Sequence, residues 1–314
     1  MKLIRGIHNI RNQHYGCSLT IGNFDSVHIG HQMILKKLIQ CKHPGSPTIV
    51  MIFEPQPLEF FLGELAPARL TGLRDKIKYI SEYEIDYLLC VNFNRSFSCL
   101  THRDFIDNLL IKRLGIRLLI IGDDFQFGKN RLGTFKHLFQ AGRRYGFHVF
   151  KMKSFFKYGV RVSSTSVRKA LLQDDLSLAK NLMGRPYQLS GKIVHGNKFG
   201  SIIGFPTANL LFRYFSIAIK GVYVAEVQGL LDNAIKSVVN VGIRPTVEGR
   251  KRQIEVHLID TKMNMYGSYI NIVIHKKLRE EIRFSSIFEL TRQIHKDIDQ
   301  AKIFFDSFYF GRNI

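Results

Sequence analysis

The chain has few of the features that mark a secreted, metal-clustered or membrane protein. It has only four cysteines in 314 residues, and none lies in a C-x-x-C pair, so we expect neither a disulfide framework nor a zinc site. No apolar run approaches the roughly 20 residues of a membrane span. The first residues lack the apolar core and cleavage site of a signal peptide. We therefore expect a cytoplasmic protein with no membrane partner.

Acidic residues are also scarce. The chain has 25 Asp and Glu residues and 46 Lys and Arg residues, which gives a net charge of +21. This surplus favours either a nucleic-acid partner or anionic, phosphorylated substrates. The basic residues are dispersed, with no long basic run and no basic motif interleaved with aromatic residues. We therefore expect no specific nucleic-acid partner.

The hydropathy pattern predicts two domains of different class. Apolar strands alternate with helices in the first part of the chain, which predicts a parallel sheet flanked by crossover helices. The predicted strands are 18–22, 48–53, 87–93 and 118–122, and the predicted helices are 32–40, 74–83, 105–114 and 135–145. We place the end of this domain at residue 184, just before Arg185 and Pro186.

After residue 184 the pattern changes to strands that alternate apolar and polar residues. The predicted strands are 188–194, 221–228, 235–241, 253–260 and 269–275, and together they indicate an antiparallel β-barrel. A final helix is predicted from Ser286, with Glu289 at capping-box spacing. Its apolar stripe should pack on the barrel and consists of Ile287, Leu290, Ile294, Ile298, Ala301 and Phe305. The second domain is therefore predicted to span 185–314.

The segment 22–31, GNFDSVHIGH, carries the first candidate site. It runs from a strand through a loop into a helix start, where free backbone N–H groups and the helix dipole favour an anion. Gly22 and Gly30 permit close backbone approach. His28 and His31 share a helix face, so both imidazoles can donate to a triphosphate and stabilise departing pyrophosphate.

A second anion-binding segment is 162–168, VSSTSVR. Its hydroxyls stand at a predicted helix N-terminus and are followed by a guanidinium, which suits a phosphate. Ser164, Thr165 and Arg168 are the candidate residues. The alternative is an ordinary Ser/Thr helix cap.

The tetrapeptide HIGH at 28–31 also matches the signature of class I aminoacyl-tRNA synthetases, and 151–154, KMKS, suggests their lysine-rich second signature. With a charge of +21, a tRNA-acting enzyme is a serious alternative. However, 151–156 continues an apparent strand at 147–150, and its spacing does not fit the synthetase loop. A non-catalytic, basic nucleic-acid-binding protein is a third hypothesis.

The glycine-punctuated stretch before residue 210 carries the second candidate site. Gly196, Gly200 and Gly204 allow the backbone to approach phosphates. The hydroxyl of Thr207 and the carboxamide oxygen of Asn209 are hard ligands suited to Mg²⁺. No Gly-Lys-Thr follows, so this is not a Walker A loop.

A carboxylate on a later strand completes this set. Glu255 lies on a predicted barrel strand, where a carboxylate costs free energy unless it is used or paired. The alternative is a solvent-facing glutamate. His257 points to the same side and is interpreted as structural.

Taken together, GFPTAN at 204–209 and GNFDSVHIGH at 22–31 resemble one family, the bifunctional bacterial riboflavin kinase/FAD synthetases, over nearly the whole chain. The resemblance implies a Rossmann-like nucleotidyltransferase domain and a six-stranded riboflavin kinase barrel with a C-terminal helix. The implied substrates are ATP, riboflavin and FMN, and the implied cofactor is Mg²⁺. A monomer or weak homo-oligomer is expected.

The resemblance also implies roles for individual residues. Glu255 would be the base on the ribityl hydroxyl, and Thr207 and Asn209 would hold the metal. Asp124, Phe125 and Pro206 would contact flavin, with core packing as the alternative for Phe125. The implied nucleotide and phosphate contacts, besides His28 and His31, are Gly22, Phe24, Asp25, Gly30, Ser164, Thr165, Arg168, Gly196, Gly200 and Gly204.

Three positions differ from the family's usual pattern. Ser26 stands where Gly is usual, Gln56 where many relatives have His, and Ser201 where most have Arg. Gln56 can contact phosphate but cannot carry charge, and Ser201 lacks a guanidinium.

Overall fold

The computed structural model describes residues 1–195, 200, 203–212, 214, 216–246 and 249–310, with the side chains of 243–246, 249–252, 309 and 310 left out. The chain divides into two compact units. The first comprises Met1–Pro67 and Thr71–Ser166, and the second comprises Ala68–Leu70 and Val167–Ile314. No helix in the described part of the chain is long and apolar enough to cross a membrane.

A six-stranded, wholly parallel sheet forms the first unit, in the order β1-β4-β3-β2-β5-β6. The strands are β1 Lys2–Arg5, β2 Ser18–Ile21, β3 Thr48–Glu54, β4 Tyr87–Asn92, β5 Leu118–Gly122 and β6 His148–Met152. Successive residues of the central strands enter two separate cores. Met51 packs in one core and Ile52 in the other, which explains why these strands are apolar throughout.

Helices cover both faces of this sheet. They are α1 Ile29–Cys41, α2 Pro57–Leu62, α3 Leu73–Ser81, α4 Arg95–Ser98, α5 His102–Asp104, a π-helix Phe105–Arg113 and α6 Phe135–Tyr145. Short 3₁₀ turns occur at Ile7–Asn9, Asn12–His14, Gly63–Leu65 and Lys129–Arg131. A two-stranded hairpin, β7 Phe156–Lys157 and β8 Val160–Arg161, precedes helix α7, Ser164–Leu172.

The second unit contains a closed antiparallel barrel in the order β10-β13-β12-β11-β14-β9. Its strands are β9 Gln188–Val194, β10 Ala208–Leu211, β11 Gly221–Gln228, β12 Ile235–Thr246, β13 Gly249–Leu258 and β14 Tyr269–Arg279. Helix α8, Leu176–Met183, precedes the barrel, and helix α9, Ile287–Phe310, follows it. Ala301 and Phe305 of α9 are fully buried against Val224 of the barrel.

The predicted fold class is confirmed, and the local errors have identifiable causes. Strand β10 lies in the stretch interpreted as a loop, and it forms because β9 and β13 pair with it on both sides. The predicted α-helix 105–114 is a π-helix at Phe105–Arg113. The N–H of Leu114 bonds to the carbonyl of Leu109, five residues earlier, at 3.1 Å. Apolar periodicity does not distinguish this spacing from the four-residue spacing of an α-helix.

The predicted stripe of the last helix is wrong at its first position. Ile287 is 57% exposed, whereas Ala301 and Phe305 are fully buried. The predicted cap is present, since Ser286 Oγ accepts from the N–H of Glu289 at 3.2 Å. The carboxylate of Glu289 turns to Ser285, which donates from both its N–H and its hydroxyl.

Candidate functional site

A strained loop connects β2 to α1 in the first unit. Phe24, Ser26 and Val27 have φ angles of 47°, 69° and 43°, which L-residues rarely adopt and which are least favourable for the β-branched Val27. All three side chains are buried, so packing holds the loop in this shape. Backbone strain that the surroundings maintain is concentrated at functional sites. The φ of Ser26 also explains why glycine suits this position.

Asp25 joins this loop to segment 162–168. Its side chain is 2% exposed, and Oδ1 accepts from the N–H of Thr71 at 3.1 Å. Its backbone carbonyl accepts from Ser164 Oγ at 2.8 Å. Two motifs separated by more than 130 residues therefore meet. Thr165, next to Ser164, is exposed.

The two histidines form a stacked pair. Their ring centroids are 3.7 Å apart with an interplanar angle of 13°, and Phe24 lies 4.8 Å from the ring of His31. His28 caps α1, and its Nδ1 accepts from the N–H of His31 at 3.2 Å. A neutral His28 therefore carries its proton on Nε2, the nitrogen that can donate to a phosphate. Gly22 follows the last residue of β2, and Gly30 is the second residue of α1.

Arg168 is the fifth residue of α7 and therefore lies beyond its first turn. Its Nε donates to the carbonyl of Ala68, a contact within the second unit. Ser163 caps this helix, because its Oγ accepts from the N–H of Ser166 at 3.1 Å.

Acidic residues follow the carboxyl end of β5. Asp123 accepts from the hydroxyl of Ser154 at 2.7 Å and from its N–H at 2.8 Å. Arg161 reaches Asp123 at 3.3 Å and Asp124 at 2.9 Å. The pKa of Asp123 is lowered chiefly by the hydrogen bond from the Ser154 hydroxyl, and also by the positive charge of Arg161. Ser154 of the KMKS segment thus hydrogen-bonds to Asp123 at the end of β5. Lys151 of the same segment lies in strand β6.

The two phenylalanines after β5 differ in burial. Phe127 is 7% exposed and belongs to the core, while Phe125 is half-buried and stacks on Phe127 with ring centroids 5.7 Å apart. Phe125 therefore presents part of its ring at the strand end, where ligands bind in open α/β sheets. Gln56 is 6% exposed at the start of α2, and its N–H donates to Glu59 Oε2 at 2.9 Å.

In the second unit, the GFPTAN segment leads directly into β10. Gly204 has a φ of 89°, which favours glycine. A side chain on Gly200 would collide with the carbonyl of Phe205 and lie 3.0 Å from Thr207 Oγ1. The backbone can therefore approach this hydroxyl closely only because residue 200 is glycine. Gly196 and Ser201 lie outside the described residues.

Strand register places three polar residues in one row across the barrel. Asn209 on β10 is opposite Glu255 on β13, which is opposite Asn240 on β12. The row continues to Val222 on β11, whose neighbour on the same face, Val224, packs under helix α9. The row therefore lies on the outer face of the barrel, while alternate residues such as Ile254 and Val256 are fully buried.

Gln253 joins two members of this row. Its Nε2 is 2.8 Å from Glu255 Oε1 and 3.1 Å from Asn209 Oδ1. The sequence analysis missed Gln253, although its position two residues before Glu255 already puts both side chains on one face. It also assigned no role to Asn240, whose buried Oδ1 has no hydrogen-bond partner among the described residues.

Aromatic residues fix the approach to this row. Phe205 is 8% exposed, and its ring meets His295 of α9 edge-on at 4.9 Å and His257 at 5.9 Å. His257 Nδ1 lies 3.0 Å from the carbonyl of Pro206. Since a carbonyl only accepts, this nitrogen carries the proton. Through this hydrogen bond His257 holds the backbone of Pro206.

Two oxygen atoms of the GFPTAN segment suit a magnesium ion. Thr207 and Asn209 supply a hydroxyl and a carboxamide oxygen, and Mg²⁺ prefers such hard ligands together with substrate phosphates. The backbone of Gly200 lies close to the Thr207 hydroxyl. Among the residues that the structure describes, no three His, Cys, Asp or Glu side chains converge as metal ligands.

Comparison with known proteins finds two family models along the chain. A family model described as FAD synthetase matches residues 10–166, and one described as riboflavin kinase matches residues 183–305. The chain is 50% identical to a bifunctional riboflavin kinase/FMN adenylyltransferase of Escherichia coli, over 97% of this chain and 98% of the relative. It is 45% identical to the corresponding protein of Haemophilus influenzae, over 98% and 100%.

Solved structures share the fold. A crystal structure described as a macrolide-efflux protein from Streptococcus pneumoniae superposes with a TM-score of 0.78. It covers 96% of this chain and 99% of its own, at 24% identity. At that identity the likeness shows the fold alone.

Proposed function

The chain belongs to the family of bifunctional riboflavin kinases/FMN adenylyltransferases, and from this premise we propose how its two candidate sites divide the work. The enzyme phosphorylates riboflavin with ATP to give FMN, and it then joins FMN to the AMP part of a second ATP with release of pyrophosphate. We assign the second step to a domain spanning 1–184 and the first step to a domain spanning 185–314. The row Asn209–Glu255–Asn240 is the observation that carries this assignment.

In the kinase site, Glu255 is the proposed base. It takes the proton of the ribityl 5′-hydroxyl as that oxygen attacks the γ-phosphorus of ATP, and the bond to the β–γ bridging oxygen breaks to leave ADP. Glu255 suits this role because strand pairing on both sides fixes its backbone. Pro206, held by His257, is a proposed flavin contact, and Gly196, Gly200 and Gly204 are proposed phosphate contacts.

Thr207 and Asn209 are the proposed ligands of Mg²⁺. When bound, the metal neutralises charge on the transferring phosphoryl group. The residues present fit Mg²⁺, since both offer neutral oxygen atoms. The hydrogen bond from Gln253 Nε2 also sets the orientation of the Asn209 carboxamide.

In the adenylyltransferase site, the proposed work is positioning and charge stabilisation. The phosphate of FMN is already ionised and attacks the α-phosphorus of ATP without a strong base. His28 and His31 donate to the polyphosphate, and Ser164, Thr165 and Arg168 hold the other phosphate oxygens. Gly22, Phe24, Asp25 and Gly30 shape the loop, and Asp124 and Phe125 contact the flavin.

We also propose a cytoplasmic location, because both reactions consume ATP, and a monomer or weak homo-oligomer. In this proposal the high positive charge of the chain does not reflect binding to a specific nucleic acid.

The test is incubation of the purified protein with riboflavin, ATP and Mg²⁺, followed by chromatography of the flavins. We expect FMN to appear first and FAD to follow, and supplied FMN to give FAD directly. A folded protein that forms neither flavin, yet binds tRNA tightly at physiological salt in competition with ATP, would favour the aminoacyl-tRNA synthetase alternative.

A further inference from the structure

Gln253 lies between the proposed base and a proposed metal ligand. Gln253 and Glu255 are two residues apart on β13, so their side chains share a face, and strand register puts Asn209 opposite Glu255. The single nitrogen Nε2 of Gln253 is within hydrogen-bond distance of both, at 2.8 Å from Glu255 Oε1 and 3.1 Å from Asn209 Oδ1. All three side chains are half-buried.

These contacts fix the orientation of two amides. An ionised carboxylate only accepts hydrogen bonds, so the Gln253 atom beside Glu255 must be the NH₂ group. The second hydrogen of that group faces Asn209, and the atom that receives it must be an oxygen. The carboxylate of Glu255 therefore determines, through Gln253, which side of Asn209 presents its oxygen.

We propose that Gln253 is a positioning residue for the phosphoryl transfer, which keeps Glu255 aligned and holds the oxygen of Asn209 toward the metal position. This inference rests on the proposed function of the barrel site. A carboxamide oxygen has two lone pairs, so it can accept from Gln253 and still bind Mg²⁺. An amide rotated by 180° would offer an NH₂ group, which cannot bind a cation.

Loss of the Gln253 amide should therefore affect the base and the metal together. Groups that orient a metal ligand typically contribute about 10–100-fold in metal affinity or activity. Gln253→Met keeps the length of the side chain and removes both donors. We expect it to lower kcat for FMN formation by about tenfold or more, with a smaller change in the KM for riboflavin.

The matched control is Gln228→Met at the end of β11, where the same change is made away from the row. We expect Gln228→Met to leave FMN formation unchanged. FAD formation from supplied FMN serves as an internal standard for both variants, and thermal melts followed by circular dichroism show whether the barrel is folded.

A second measurement reads the orientation of Asn209 without relying on activity. Mn²⁺ binding in the presence of ADP is followed by electron paramagnetic resonance for the parent, Gln253→Met, Asn209→Asp and the double variant. Aspartate has oxygen on both sides and needs no orienting donor. In the chain that retains Asn209, we expect Gln253→Met to weaken Mn²⁺ binding about tenfold. In the Asn209→Asp chain, we expect the same substitution to weaken it by less than about twofold.

An equal or larger loss of Mn²⁺ affinity in the Asn209→Asp chain, or no loss in either chain, overturns the inference. Asn209→Ala separates this result from a failure of the proposed function. If Asn209→Ala leaves FMN formation and Mn²⁺ binding intact, the barrel site itself is wrongly assigned. If Asn209→Ala abolishes both while Gln253→Met is silent, only the role of Gln253 is wrong.

Discussion

The two candidate sites hold their functional groups in opposite ways. In the first unit, a loop with three positive φ angles and the start of α1 position His28 and His31. In the second unit, Asn209, Glu255 and Asn240 stand in register on three paired strands. The difference fits the proposed chemistry, because adenylyl transfer from an ionised phosphate needs donors for charge, whereas phosphorylation of a hydroxyl needs a fixed base.

The two sites should also differ in how strongly a single substitution affects them. A site built from backbone N–H groups and imidazoles has several donors, and each contributes part of the charge stabilisation. A site with one base depends on a single carboxylate. We therefore expect the largest single-residue loss at the barrel.

Glu255→Gln should produce that largest effect. Glutamine keeps the size of the side chain but cannot accept the ribityl proton, and a positioned general base contributes about 10²–10⁴-fold in rate. FMN formation from riboflavin should fall by that factor, while FAD formation from supplied FMN is unchanged. The two assays are run side by side on one preparation. Near-normal FMN output would remove Glu255 from the mechanism.

His28→Ala should show the converse, smaller effect. Loss of one donor to a developing negative charge typically costs about 10²–10³-fold in kcat. FAD formation should therefore fall while FMN accumulates. The variant also loses the contact between Nδ1 and the N–H of His31, so a melting curve accompanies the assay. Equal loss of both activities in a folded protein would contradict the division between the units.

The independence of the barrel can be tested with two fragments, 184–314 and 167–314. Both should phosphorylate riboflavin, because every proposed kinase residue lies in them. The shorter fragment lacks Asp174, which accepts from Tyr223 at 3.1 Å and from Lys277 at 2.7 Å. Since hydrogen bonds to a charged group contribute about 1.5–3 kcal/mol, its melting temperature should be several degrees lower.

The control for this difference is Asp174→Asn in the longer fragment, which should reproduce part of the fall in melting temperature. If the shorter fragment is folded but inert with riboflavin, ATP and Mg²⁺, the boundary at residue 184 is wrong.

The smallest expected effect concerns Asp123 in the first unit. Its pKa is lowered chiefly by the Ser154 hydroxyl, so its stabilisation is present above the unfolded pKa of about 4 and is lost as pH falls through the folded value. Ser154→Ala should lower the free energy of unfolding at pH 7 by about 1 kcal/mol, and by less at pH 3. Urea unfolding at the two pH values measures this. The hydroxyl of Ser81 donates to the carbonyl of Lys78, which does not titrate, so Ser81→Ala should give a pH-independent difference.

The local geometry of the first candidate site follows largely from the sequence, because most of its contacts are local. The helix start at His28, the capping contact with His31 and the shared face of the two imidazoles all arise within four residues. The contact between Ser164 and Asp25 was not predicted, since nothing in either segment specifies the other as its partner.

In the barrel, the sequence by itself determined the face on which Gln253, Glu255 and His257 lie, because a strand has a period of two residues. It also determined the chemistry available there, namely a carboxylate and neutral oxygen ligands. Only the tertiary structure decided that Asn209 stands opposite Glu255, and that Gln253 reaches both. Register depends on which distant segments pair and at what offset, and the periodicity within each strand leaves that offset open.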